Sequence, residues 1–334
     1  QPLRRWIDYL FYVSFFPGLV AGPIVRARDF IPQMFRTPVV TRETLGEGLY
    51  LIICGLLKKS VISDYISVNF VDRIFDAPTL YTGLENLVGA YGYALQIYCD
   101  FSGYSDMAIG IALLLGIRFN TNFDSPYQSA TITEFWRRWH ISLSTWLKDY
   151  LYISLGGNRR GRVRTYVNLM LTMLLGGLWH GASGRFILWG GLHGAALAVH
   201  KFMMNHFPSF RPTGDTMSPL RRVCGVLITF HVVCFGWIFF RADTMATGWD
   251  VIRQIFTAFH PEVFSQFVVG YTEVFLLILG GYAIHFMPRV VDTTVRGWVT
   301  QSPTLVQALY LTVAIIIVLQ LKSADIVPFI YFQF

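Results

Sequence analysis

Apolar runs close to bilayer length recur along this chain and leave little choice of fold. They occupy Leu45–Ile62, Leu84–Ile117, Tyr166–Leu178, residues 186–203, Val223–Phe240, Val274–Phe286 and Leu305–Leu321. A helix needs about 20 apolar residues to cross roughly 30 Å of hydrocarbon. An outer-membrane barrel would instead show repeated strands of about ten alternating residues, and no such alternation recurs here. Lipid offers no partner to an open backbone group, so helices remain. Composition agrees, because only 14% of the 334 residues are charged and 54% are hydrophobic, against about 25% charged in a soluble domain. The expected fold class is all-α, a polytopic transmembrane helix bundle, read as a single domain over residues 1–334.

The formal net charge is +7, yet the lysines and arginines sit between the apolar runs, as cytoplasmic loops require. No separate basic domain exists to carry nucleic acid, so no nucleic-acid partner is expected. Arg159, Arg160, Arg162 and Arg164 crowd one short loop, which is expected to face the cytoplasm. Cys54, Cys99, Cys224 and Cys234 lie inside apolar segments without CxxC spacing and read as packing residues.

Several segments break the simple pattern. Residues 6–25 have spanning length, but Pro17, Gly18, Gly22 and Pro23 interrupt them, and broken backbone at membrane depth needs protein or a cavity around it. Arg26 to Glu43 reads as an interfacial loop. The run 84–117 is long enough for two passes, or for one tilted helix broken at Asp100–Asp106. Asp100 and Asp106 then either cap helix ends and pair with arginine, or join Ser102 in lining a polar chamber. Residues 132–151 mix Trp136, Trp139 and Trp146 with cations at helical spacing, which suits an interfacial or funnel-lining helix, with Glu134 and Arg138 as an i,i+4 pair. An amphipathic piece is expected at 247–259, and the tail Pro328–Phe334 reads as an aromatic interfacial end.

His180 closes the apolar run that follows the arginine loop, and His140 precedes that loop in aromatic surroundings. From Arg164 a helix would carry His180 about 24 Å, far from the cationic face. An intramembrane imidazole is a functional-site hypothesis by default, and histidine titrates where a general base for acyl transfer to an alcohol must work. His193, His200, His231 and His285 read as satisfied core histidines. No GxSxG, HExxH, P-loop or GxGxxG pattern occurs, so the hydrolase, metalloprotease and nucleotide readings lack their groups, and no metal is expected. A transporter with Asp100, Asp106, His140 and His180 along an ion path is the competing class, and it would favour inverted repeats, of which none is seen.

Several ordered motifs resemble the membrane-bound O-acyltransferase (MBOAT) family, in its bacterial alginate O-acetyltransferase-like branch. They are residues 19–24 (LVAGPI), 98–108 (YCDFSGYSDMA), 134–144 (EFWRRWHISLS), 155–159 (LGGNR), 177–182 (GLWHGA), 236–242 (GWIFFRA) and 328–334 (PFIYFQF). The resemblance implies tilted helices around a central tunnel, with His180 at the catalytic histidine position and His140 at the upstream polar one. It also implies tunnel residues among Asp100, Ser102, Asp106, Trp136, Trp139, Trp179 and Asn158. Acetyl-CoA is the implied acetyl donor, and no cofactor is bound. The implied partners are membrane lipid and extracytoplasmic acetyltransferase proteins that modify alginate, cellulose or peptidoglycan. The implied location is the bacterial cytoplasmic (inner) membrane, multi-pass. D-alanyl transfer to teichoic acid is the alternative within the family. Cys99 stands where the family pattern leads one to expect an aromatic residue, and further spans are expected ahead of the LVAGPI segment.

Overall fold

The computed structural model describes residues 3–19, 22–207, 210, 217–321 and 329. Val20 and Ala21 of the LVAGPI segment, and all of the aromatic tail except Phe329, lie outside the described residues. The described chain is helical, and its helices, numbered in chain order, are α1 (Trp6–Ser14), α2 (Ala27–Met34), α3 (Arg42–Leu56), α4 (Gly83–Leu114), α5 (Ile132–Arg138), α6 (Ile141–Trp146), α7 (Arg162–His180), α8 (Gly184–His206), α9 (Pro219–Arg241), α10 (Met245–Thr257), α11 (Thr272–His285), α12 (Arg289–Gln301) and α13 (Thr304–Leu321). Short 3-10 and π pieces and the brief α-helical segments Asp64–Ile66, Asp72–Asp76 and Phe264–Gly270 join them. By length and composition α9 and α13 can each cross a membrane. Residues 261–270 and α11 pass the same test together, bent by 99°.

The residues pack as two compact units, one of 1–65, 96–122 and 287–330, the other of 66–95, 123–286 and 331–334. In the first unit, α3 packs on α12, α13 and the second part of α4. The α3–α4 contact runs through glycines. A Cβ on Gly55 would lie 2.5 Å from the Gly103 carbonyl oxygen, and one on Gly110 would lie 2.6 Å from that of Gly48. Small residues let backbones close up in this way when lipid removes the hydrophobic drive between helices.

The break expected at Asp100–Asp106 is absent, since α4 runs unbroken for 32 residues. Both carboxylates sit inside the helix, and their partners are lysines where arginine was expected. Lys59 Nζ lies 2.6 Å from Asp100 and 2.6 Å from Asp64, and Lys58 Nζ lies 2.6 Å from Asp106. A π-helical stretch, Leu57–Ser63, carries both lysines. Neutralisation of each charge by a neighbour is what lets a polar helix stay continuous among apolar side chains. Likewise, the stretch expected as an interfacial loop after Arg26 holds α2 with Pro32 inside it, and Phe30 of α2 joins Phe15, Ala112 and Ile117 in a local core.

In the second unit α7 and α8 form an antiparallel hairpin. Gly177 and Gly190 stand where any side chain would strike the backbone of the other helix, at Phe186 and Met173 respectively. Helix α9 packs on the other side of α8, and Arg185 of α8 donates to the carbonyls of Phe240 and Ala242 at the end of α9. Helix α10 matches the expected amphipathic piece and opens on Thr244, whose side chain accepts from the Thr247 N–H.

Candidate active site

Helix α5 begins at Thr131, whose hydroxyl accepts from the Glu134 N–H at 3.1 Å. One turn on, Glu134 pairs with Arg138 at 2.8 Å, the i,i+4 pair expected from the spacing. The single helix read over 132–151 is in fact two, because the chain turns at Trp139–His140 and His140 takes left-handed backbone, φ 42 and ψ 56. Among the described residues only Ser125 shares a positive φ without being glycine. Such a conformation costs an L-residue about 1–2 kcal/mol, and strain of this kind concentrates at functional sites.

The turn sends the imidazole inward, where His140 is 4% exposed and Phe123 stacks on it at 6.4 Å. Ser142 Oγ lies 3.4 Å from its Nδ1. Burial first, and the neighbouring His180 second, push His140 down to about 3, so the ring is neutral at pH 7. Two imidazoles forty residues apart in the chain are therefore within electrostatic reach of one another.

His180 is the last residue of α7. Its ring sits in an aromatic nest, with Trp179 at 5.1 Å, Trp189 at 5.2 Å and Phe240 at 5.2 Å between centroids. At the other end of α7, Arg159 and Arg160 lie in the loop while Arg162 and Arg164, expected in the same loop, fall in the first turn of the helix; all four are exposed. Asn168 ties the loop down by donating to the Gly157 carbonyl at 2.9 Å. Gly157 itself needs φ 56, a value glycine adopts without strain.

Between these ends lies a cavity of about 470 Å³, within the range of small-molecule sites. Trp136, Ile141, Leu169, Met173 and Leu197 give it apolar walls, and Arg137, Lys148 and Lys201 place three cations on its lining, which holds no carboxylate. Ile141 adjoins His140, and Met173 precedes His180 by about 10 Å of helix rise. Such a chamber suits an anionic ligand with an apolar or thioester arm, and the two imidazoles suit proton transfer beside it.

Trp136 and Asn158 line this cavity. Trp139 does not, being 3% exposed and packed on Phe123, Phe135 and Trp237. Trp179 is 60% exposed and covers one side of His180. Asp100, Ser102 and Asp106 belong to the first unit and are not among the cavity residues. Among the described residues no group of three or more His, Cys, Asp or Glu side chains is placed to hold a metal.

His193, expected as a satisfied core histidine, is in the core but has its Nε2 without a partner among the described residues. It is 1% exposed, and its Nδ1 accepts the indole N–H of Trp136 at 3.2 Å. Its ring centroid lies 4.8 Å from that of Trp189, which in turn meets His180. The available signal was the i,i+4 spacing of Trp189 and His193, which places an indole and an imidazole on one face of α8.

Residues 5–249 match the membrane-bound O-acyltransferase family. The chain belongs to that family. Among relatives of this MBOAT chain is a probable alginate O-acetylase of Azotobacter vinelandii, 46% identical over 254 residues, or 76% of this chain and 48% of that protein. A peptidoglycan O-acetyltransferase of Helicobacter pylori is 39% identical over 305 residues, 90% of this chain and 54% of that protein. A teichoic acid D-alanyltransferase of Bacillus subtilis is 31% identical over 250 residues, 72% of this chain and 61% of that protein. The MBOAT chain thus spans about half the length of the first two. Membership makes it a membrane protein.

Proposed function

We propose that this chain carries the acyl-transfer centre of a membrane O-acetyltransferase that acetylates an exported polysaccharide such as alginate, cellulose or peptidoglycan. The observation that carries the reading is a cavity that holds Arg137, Lys148 and Lys201 and no carboxylate, lined by Ile141, the chain neighbour of His140, and by Met173 of the helix that ends at His180. Acetyl-CoA is the proposed donor, with its phosphates at Arg137, Lys148 and Lys201 and its thioester arm along the apolar wall toward His180. A phosphate kept at a cationic wall avoids the several kcal/mol needed to bury an unpaired charge.

In the proposed reaction the His180 imidazole takes the proton of the acceptor hydroxyl as its oxygen attacks the acetyl carbonyl carbon. The new C–O bond forms, the C–S bond breaks, and the departing sulfur leaves as a thiol with the proton held by the imidazole. His140, neutral and fixed by its turn, orients the imidazole or the donor. The protein sits in the bacterial inner membrane as a multi-pass protein with the arginine loop on the cytoplasmic side. The acetyl group passes to extracytoplasmic partner proteins or directly to the polymer.

The test uses the intact protein in sealed vesicles of known orientation. Labelled acetyl-CoA supplied on the arginine-loop side is expected to acetylate an acceptor present only on the opposite side. Product formed only when donor and acceptor share one side would overturn transfer across the membrane. Transfer of D-alanine in place of acetyl would move the assignment to the teichoic-acid reaction.

A further inference from the structure

Trp189, which meets His180, and its ring neighbours His193 and Trp237 hold three buried nitrogens with no acceptor among the described residues: Nε2 of His193 and the indole Nε1 of Trp189 and Trp237. The tautomer of His193 follows from its bond with Trp136. An indole nitrogen only donates, so His193 Nδ1, which receives Trp136, is the acceptor, and the neutral ring carries its proton on Nε2. All three orphan atoms are therefore donors. A buried donor without a partner is destabilising, and phenylalanine would fill an aromatic core without that cost.

His193 and Trp189 converge on one glycine of α9, and the ring of Trp237 packs on both. A Cβ on Gly236 would lie 3.1 Å from His193 Nε2 and 3.3 Å from Trp189 Cδ1, the ring carbon bonded to Nε1. Gly236 sits in the middle of α9 with no positive φ, so no turn demands glycine there. Its missing methyl keeps the α9 backbone clear of the two nitrogens. Trp237 follows in sequence and stacks on Trp189 at 5.9 Å, while Trp189 stands edge-on to His180 at 5.2 Å.

We propose that the Nε2–H of His193 and the indole N–H groups of Trp189 and Trp237 form the donor set that receives the acyl carbonyl oxygen beside His180. The inference rests on the thioester-donor reading above. When the acceptor hydroxyl adds to the carbonyl carbon, negative charge gathers on that oxygen, and donors already in place stabilise it without reorganisation. The acyl group that fits beside Gly236 is small, because the glycine leaves room of about one methyl.

Two coenzyme A analogues separate the possibilities: a ketone with CH2 in place of the thioester sulfur, which keeps the C=O, and S-ethyl-CoA, which lacks it. Both are titrated against the intact protein and its Trp189→Phe, Trp237→Phe and Gly236→Ala variants. Phenylalanine retains the ring and removes only the donor. The expected result is a loss of about tenfold or more in ketone affinity with thioether affinity kept, and a fall of about 10²–10³ in kcat for each tryptophan variant. Retained thioether binding also reports that each variant is folded. Equal behaviour of the two analogues in the tryptophan variants, whether both are kept or both are lost, overturns the donor set. Failure of both analogues to bind the unaltered protein overturns the thioester-donor reading and this inference with it.

Discussion

Both units bury polar side chains, but they resolve the cost in opposite ways. In the first, Lys58 and Lys59 meet Asp64, Asp100 and Asp106 at 2.6 Å each, so every charge has a counter-charge. In the second, His140, His193, Trp189 and Trp237 are buried in a setting made of aromatic rings. A closed ion-pair network holds helices together and has no reason to change state. Neutral imidazoles and open indole donors can exchange a proton or accept a ligand oxygen. The comparison teaches that a carboxylate at membrane depth is a weaker pointer to chemistry than an uncharged donor left open.

The largest effect that would break this contrast lies at His180. His180→Ala is expected to lower acetyl transfer by about 10²–10⁴ with normal membrane accumulation, measured as acetyl content against protein level. Wild-type acetylation at normal abundance would remove the second unit's claim to the chemistry.

The first unit should respond in stability instead. Lys59→Met takes the ammonium away from buried Asp100 and half-buried Asp64, and removing one partner of a buried pair costs about 3–5 kcal/mol. A lower unfolding temperature in detergent, with transfer per folded molecule kept, is the expected outcome. Unchanged stability with lost transfer would place this network in the reaction and erase the contrast.

The smallest effect sharpens the comparison within the cavity. Lys148→Ala and Lys201→Ala are each expected to raise the KM for acetyl-CoA up to about tenfold at nearly constant kcat, the signature of lost uniform binding. A charge-assisted hydrogen bond to phosphate is worth about 1.5–3 kcal/mol, and the solvent around these side chains discounts it. A fall in kcat without a change in KM would show that the cations face something other than the donor.

The sequence by itself determined the helical membrane class, the approximate ends of α7 to α11 and α13, and the pairing of Glu134 with Arg138. These follow from local composition and periodicity, which need no knowledge of what packs on what. It also singled out His140 and His180, through their aromatic, glycine-rich settings and the motifs they share with the family. Only the tertiary structure decided that α4 is continuous, because the lysines that neutralise Asp100 and Asp106 come from more than 40 residues away. It alone divided 132–151 at His140, where a left-handed turn at a non-glycine residue leaves no mark in the residue pattern. His193 stayed among the core histidines in the sequence because its meaning depends on two other helices. Trp136 of α5 fixes its tautomer, and the missing Cβ of Gly236 in α9 leaves its Nε2 open. Contacts of this kind join residues that are remote in the chain, so no local pattern records them.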